Sequence, residues 1–437
     1  IATWPRRTTS SSSAAPSEPS REIVAEQVLK SPGGVSHAGA ALEDLEHDCA
    51  RPGRAHYHAA MRSSAQLGDV RGTERLFATM KSKHHRATTL SFNLILAACA
   101  KADEPKLFEE WFLRIASAGL KPDTATYTTG IKMYARRAER DKAEELVRRM
   151  KDDGFHPDYV CYYTLIHTCS LTGDLLGAER YMAEMRARGF PVTASTYTSL
   201  INACAKAANV ERAECHMTAM LDAGLEADVV SYTVLLDACA RANDLARAQY
   251  WHHQMVSVGV VPNKHTYSTM ITACTRRADA EGAEKWLDMA RDAGMGDLVI
   301  YSGVVDACVR AQDIDRAERV FRRIHDDGLK PCVVTYATFA KPFAHAGDFK
   351  KVESIVGEME ALGQKANEHV LYVLLLAYAN AAPRQVARAK ACFRRSTACG
   401  LTANKYIVGA LTRAVGAQHA TSLLDEIGAH PDLHRST

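Results

Sequence analysis

Residues 194–228, ASTYTSLINACAKAANVERAECHMTAMLDAGLEAD, can be laid over almost every other stretch of the chain between 54 and 404, in steps of 35. A chain that returns to the same pattern at such an interval is an array of one supersecondary unit, stacked on copies of itself. The unit opens with Tyr197, Leu200, Ile201 and Cys204, which fall at i, i+3, i+4 and i+7 and line one face of a helix, helix A. After a turn at Asn209, Ala213, His216, Met217 and Met220 repeat that spacing on a second helix, helix B, and Gly224 follows where a chain leaving a helix takes a left-handed residue. Two helices of this length cannot bury their apolar faces alone, so each unit is stable only against its neighbours. The expected fold is all-α: a right-handed α-solenoid superhelix of stacked 35-residue helix–turn–helix repeats.

The glycine after helix B serves as a ruler: Gly119, Gly154, Gly189, Gly224, Gly259, Gly294, Gly328, Gly363 and Gly400. Units start at 54, 89, 124, 159, 194, 229, 264, 298, 333 and 368, the first of them degenerate. Unit 264–297 is one residue short, and 368–404 carries two extra residues around Pro383; both changes are expected in turns. Ten repeats thus fill 54–404, with capping helices expected over 405–428, a tail at 429–437, and irregular cap helices over 21–53. Residues 1–20 are rich in Ser, contain Arg6 and Arg7, and hold one acid, Glu18. That is the composition of an organelle transit peptide, and equally of a disordered tail. It sets the expected location as plastid or mitochondrion.

No apolar run approaches membrane-spanning length, so no membrane partner is expected. The net charge of +3 is small for 437 residues, and bulk electrostatics does not announce a nucleic-acid partner. Any such case rests on where the charges sit.

A 35-residue two-helix unit with these residues resembles the pentatricopeptide repeat family. The segments PDTATYTTGIKMYARRAERDKAEELVRRMKDDGFHPD and KPCVVTYATF carry the family's Tyr near the head of helix A, its Ala-Glu in helix B and its closing Gly-x-x-Pro-Asp turn. The related tetratricopeptide signature Trp-x-x-Leu-Gly-x-x-Tyr is absent. The resemblance implies binding of single-stranded RNA, one base per repeat, and no DNA.

With the Tyr or Phe of each unit numbered 4, positions 4, 7, 8 and 11 form the apolar stripe, and position 13 repeats a cation: Lys101, Arg136, Lys206, Arg241, Arg276 and Arg310. Cations near a helix C-terminus complement the macrodipole and need no ligand. A polyanion laid across the units would equally meet one cation per repeat. The resemblance decides for phosphate binding.

Position 5 and the last residue of each unit are where the family, by resemblance, hydrogen-bonds a base, a chemistry open to the exposed edge of an unstacked base. The pairs are Asn93 with Asp123, Thr128 with Asp158, Thr198 with Asp228, Thr233 with Asn263, and Ser268 with Asp297. The family's code reads them as U, G, G, A and G. Tyr163 with Thr193 falls between the second and third and is not decoded, so the implied site is 5′-UGNGAG-3′. Later units carry Ser302 with Cys332, Ala337 with Asn367 and Tyr372 with Asn404, which are poor or ambiguous readers. Position 2, which in the family wedges between successive bases, is Leu90, Val160, Val230, Val299 and Val334, while Ala125, Ser195 and His265 depart from it. The competing reading of the last residues is helix capping. Position 5 lies inside helix A, where Thr is a mediocre helix former, and this inclines the reading toward a ligand.

Six of the twelve cysteines, Cys99, Cys169, Cys204, Cys239, Cys274 and Cys308, repeat at core position 11 and read as packing residues, too far apart to pair. No Cys-x-x-Cys supports zinc, and the doublets His84-His85 and His252-His253 are expected to be exposed helix residues, not ligands. No metal or cofactor is expected. Neither the His-x-Glu nor the Pro-Cys-x-x-Cys of a zinc deaminase occurs, and beyond 404 the pattern ALTRAVGAQHATSLLDEIG suits one more helix pair, not a nuclease domain. The expectation is an RNA-binding solenoid, not an enzyme, that acts by occupancy on the stability, processing or translation of an organellar transcript. The alternatives are a scaffold protein with protein partners in an RNA-processing or ribosomal complex, and a piece of a repeat-containing nuclease.

Overall fold

The computed structural model describes residues 52–426, and these form twenty-two α-helices and no strand. Segment 1–20, nearly all of the cap expected over 21–53, and the tail at 429–437 lie outside the described residues. The helices come in pairs that follow the 35-residue ruler from Arg54–Leu67 and Val70–Ser82 onward, closing with Lys405–Val415 and Ala417–Glu426. The fold is an all-α solenoid.

In the unit from 194, helix A is Ala194–Lys206 and helix B is Val210–Asp222. Helix A buries Tyr197, Leu200, Ile201 and Cys204, the stripe that the spacing marks, and helix B buries Val210, Ala213, Met217 and Met220. Asn209 starts helix B by accepting the amide of Arg212 at 3.1 Å, satisfying one donor that the helix leaves open. Asp69, Asp244, Asp279, Asp313 and Asp348 cap helix B in the same way in their own units. Each ruler glycine has a positive φ, between 69° and 88°. A second left-handed residue sits at position 15, where helix A hands over to helix B. There the chain uses Asp103, Ala138, Gly173, Ala208, Asn243, Ala278, Gln312 and Gly347.

Within each of the two compact parts into which the chain divides, helix A packs on the helix A of the next repeat, and helix B packs on its own helix A and on the following one. The chain divides into two compact units between Val192 and Thr193, one residue before a repeat boundary. In the second of them one apolar core continues from Val210 to Leu423.

The position-11 cysteines are buried, and burial pushes Cys99, Cys169, Cys239, Cys274 and Cys308 up to about 12, so these five carry no thiolate at neutral pH. The glutamate of helix B, at position 21, accepts a donor from the following unit. Glu74 takes the Trp111 indole at 2.7 Å, Glu144 the Tyr181 hydroxyl at 2.9 Å, Glu214 the Trp251 indole at 2.8 Å and Glu353 the Tyr378 hydroxyl at 2.8 Å. Glu284 holds Arg316 at 2.7 Å instead. The Ala-Glu signature is thus a clasp between successive repeats.

The two extra residues of the unit from 368 fall in the link between helices Glu368–Asn380 and Val386–Ala398. The histidine doublets depart from expectation. His84 and His85 lie beyond the end of helix Val70–Ser82, His84 in a left-handed turn. His252 is buried, its ring 4.6 Å from that of Trp286, because position 24 of helix B faces the next helix B across the seam.

Candidate nucleic-acid interface

Helix A begins immediately after the last residue of the preceding unit, so that residue is its N-cap. Asp123, Asp158, Asp228, Asn263 and Asp297 each accept the amide of position 3 of the following helix. The capping reading is therefore realised, and the same side chains are fixed in orientation by it.

Position 5 is tied to that cap through position 3 of the next unit. Thr198 donates to the Ala194 carbonyl at 3.0 Å and lies 2.6 Å from the Ser231 hydroxyl, which donates to Asp228 at 2.8 Å. Thr233 repeats the arrangement with Thr266 at 3.0 Å and Asn263 beyond it. In the unit from 89 the link is direct: the Asn93 amide donates to Asp123 at 2.9 Å, and Thr126 donates to the Asn93 oxygen at 2.6 Å. Burial works against the Asp123 carboxylate, but the amide and hydroxyl of Thr126 with the Asn93 amide outweigh it and hold its pKa below the usual value. Thr128 meets Cys161 at 3.2 Å, a weaker hub. The fifth pair differs: position 3 after it is Ile300, which has no hydroxyl, and Asp297 pairs with Lys264 at 3.1 Å.

These hubs correct one step of the sequence argument. Thr at position 5 does have a local reason to recur, since its hydroxyl bonds the helix and the next repeat. Position 3, buried as Ser91, Thr126, Thr196, Ser231, Thr266 and Thr335, was not singled out from sequence. Its signal was there: a hydroxyl next to the core Tyr or Phe in most units.

Position 2 projects from the surface. Leu90, Val160, Val230, Val299 and Val334 are 43%, 36%, 52%, 65% and 57% exposed, apolar side chains placed in water in five of the repeats. All six position-13 cations are exposed as well. Arg136 donates to the Ala100 carbonyl, and Arg276 to the Arg241 carbonyl at 3.3 Å, each closing the C-terminus of the preceding helix A. Arg241 and Arg310 pair with Asp237 and Asp306 at 2.6 and 2.9 Å.

Two open cavities on the helix-A layer show which positions share a face. In the first unit, about 680 Å³ is lined by Lys101, Lys132, Arg136, Tyr163, His167 and neighbours, which are positions 13, 9, 13, 5 and 9 of three successive repeats. In the second, about 860 Å³ is lined by Lys341, His345, Asn367, His369, Tyr372, Asn404 and Tyr406 among others. That set includes positions 2, 5, 9 and 13 and the last residue together. Among the described residues no three His, Cys, Asp or Glu side chains converge as a metal site.

Comparison with known proteins agrees with the repeat fold. The family described as the pentacotripeptide-repeat region of PRORP matches residues 48–223, 159–295 and 226–394, most of the chain. The chain belongs to the pentatricopeptide repeat family. Among curated protein sequences none matches it. The crystal structure of the pentatricopeptide repeat protein PPR10 from maize is 20% identical with a TM-score of 0.62, over 94% of this chain and 62% of that one. The chain therefore spans about 62% of the maize structure. PPR10 in complex with an 18-nt psaJ RNA element is 19% identical over 94% of this chain and 70% of that one, TM-score 0.46. Yeast Rmd9p in complex with a 16-nt target RNA is 10% identical over 93% and 94%, TM-score 0.42. At these identities the likeness concerns the pentatricopeptide fold.

Proposed function

We propose that this pentatricopeptide solenoid binds single-stranded RNA along its helix-A layer and acts by occupying the strand. The observation that carries the reading is the convergence of positions 2, 5, 9 and 13 and the last residue on one open face. An exposed apolar wedge recurs there in five repeats, a polar pair oriented by the helix cap in five and a cation in six, and an unstacked polynucleotide presents a ring face, an edge and a phosphate at each residue. The maize and yeast proteins named above were solved with RNA bound, which supports the same use here.

The finer reading is selectivity for 5′-UGNGAG-3′, through Asn93/Asp123, Thr128/Asp158, Thr198/Asp228, Thr233/Asn263 and Ser268/Asp297. A strand so held is shielded from exonucleases or kept from folding, which makes stability, processing or translation of a transcript the step served, without catalysis by this chain. The Ser-rich, acid-poor residues 1–20 support a transcript of the plastid or mitochondrion.

The test is the double variant Val230→Asp with Val299→Asp, both at exposed positions. RNA affinity should fall roughly tenfold or more, since a carboxylate replaces an apolar wedge and repels phosphate. Thermal stability should be unchanged. Unaltered affinity would remove the wedge from the interface.

A further inference from the structure

The unit from 159 has Tyr163 at position 5, where no base-edge reader stands, and the side chains around it form a different kind of site. Tyr159, Tyr163 and His167 follow one another at single-turn spacing along helix Tyr159–Thr172. Their rings are parallel within 8°, with centroids 6.4 and 6.3 Å apart. Tyr163 and His167 line the cavity of about 680 Å³, together with Lys101, Lys132 and Arg136. Neither Lys101 nor Lys132 takes part in an ion pair among the described residues, while Arg136 reaches the Ala100 carbonyl. Apart from Thr129 and Thr164, the wall is completed by small or apolar side chains such as Ala97, Ala100, Ala135 and Leu171. An aromatic row beside three cations in an open hollow matches a flat ring carrying phosphates, not an extended peptide or a bare anion.

From this we infer that the undecoded nucleotide of the bound strand is held by stacking on the Tyr163–His167 row. Its flanking phosphates rest on Lys132, Lys101 and Arg136, so any base is accepted there but some base is required. The inference rests on the single-stranded RNA reading given above. Every base has a stacking face, whereas the edge contacts made by Thr or Asn with Asp in neighbouring units differ from base to base. The third letter of the site is thus a grip without discrimination.

The test uses the full chain with five labelled RNAs identical but for that position: A, C, G, U, or an abasic residue. The four bases should bind within about threefold of one another, and the abasic strand should bind roughly tenfold or more weakly, the usual scale for losing one base–aromatic stack. Tyr163→Phe should keep that difference. Tyr163→Ala should abolish it, so that abasic and base-bearing strands bind alike. If the wild-type chain binds the abasic strand as tightly as the others, or selects one base more than tenfold, the stacking site is overturned and RNA binding stands. If none of the five RNAs binds, both readings fall together.

Discussion

At the scale of residues, one side chain serves two ends. Asp228 caps the helix from Val229 through its Oδ1 and is linked by Ser231 to Thr198 of the preceding unit. The cap holds Thr198 and Asp228 in one orientation. If the resemblance-derived code applies, Thr198→Asn with Asp228 kept shifts that unit's preference from G toward U, read as a crossover in affinity between UGAGAG and UGAUAG. An unchanged preference would contradict base reading at this unit. The pair Ser268/Asp297 lacks the hydroxyl hub and spends its carboxylate on Lys264, so it should discriminate less sharply than Thr198/Asp228. Backbone conformation gives a second residue-scale test. Ala208 sits at φ 52°, where a Cβ costs about 1–2 kcal/mol, while the extra freedom of an unfolded Gly costs about 0.4–1 kcal/mol. Ala208→Gly should raise stability by about 0.5 kcal/mol. Gly224→Ala, at φ 72° with nothing within 4 Å, should lower it by about 0.5 kcal/mol for backbone reasons alone, by the same balance. Urea midpoints check both signs.

At the scale of the element, the repeat was legible because its two helices carry different signals at fixed distance. The stripe of Tyr197, Leu200, Ile201 and Cys204 marks helix A, and Gly224 marks the exit from helix B; the structure buries the first and bends at the second. What sequence did not show was the side-chain traffic between repeats. Ala at 138, 208 and 278 gives no hint of a left-handed turn, because alanine rarely adopts one, and only the packed neighbours impose it. His252 was read as exposed because its own helix cannot show that Trp286 of the next unit covers it. The helix-B glutamates were visible only as a family signature, and their partners reveal the clasp. Glu214 accepts Trp251 and pairs with Arg247 at 3.3 Å. Glu214→Ala should destabilise by about 1–2 kcal/mol, as expected for hydrogen bonds to a part-exposed carboxylate. An unmoved urea midpoint would show the clasp to be idle.

For the whole molecule, stability and binding each have a dependence on solution conditions that follows from these groups. The Tyr134 hydroxyl bond and Lys142 hold Glu109 below the usual 4.5; for Glu144, burial is outweighed by Tyr181 and Arg140. A carboxylate with a depressed folded pKa stabilises fully above its unfolded value, and the contribution is lost as pH falls through the folded one. Burial likewise lowers His58 and His252 from 6.5, so the folded chain resists their protonation and stability declines as pH drops below that value. Thermal melts should be level between about pH 7 and 8, fall as pH drops below 6.5 and further below about 4.5, and fall again above about pH 9, where the thiols of the unfolded chain ionise and the buried position-11 cysteines do not; a midpoint that rises on acidification from pH 7 would contradict this. For binding, the proposed contact of six position-13 cations with one phosphate each predicts a limiting salt slope near −4, at about −0.7 per contact. Lys101→Ala should flatten it by about 0.7, and Arg310→Ala by less, because Asp306 already holds that guanidinium.

Fluorescence anisotropy of the chain with single-stranded RNA containing UGAGAG, beside a scrambled strand of equal composition and the same sequence as a duplex, addresses the central claim most directly. Binding to the UGAGAG strand should be tight and salt-sensitive, at least tenfold weaker to the scrambled strand, and lost on the duplex, whose base edges are already paired. Equal affinity for the scrambled strand would leave a cationic surface without a reading mechanism, and no binding to any of the three would contradict the RNA-binding account itself.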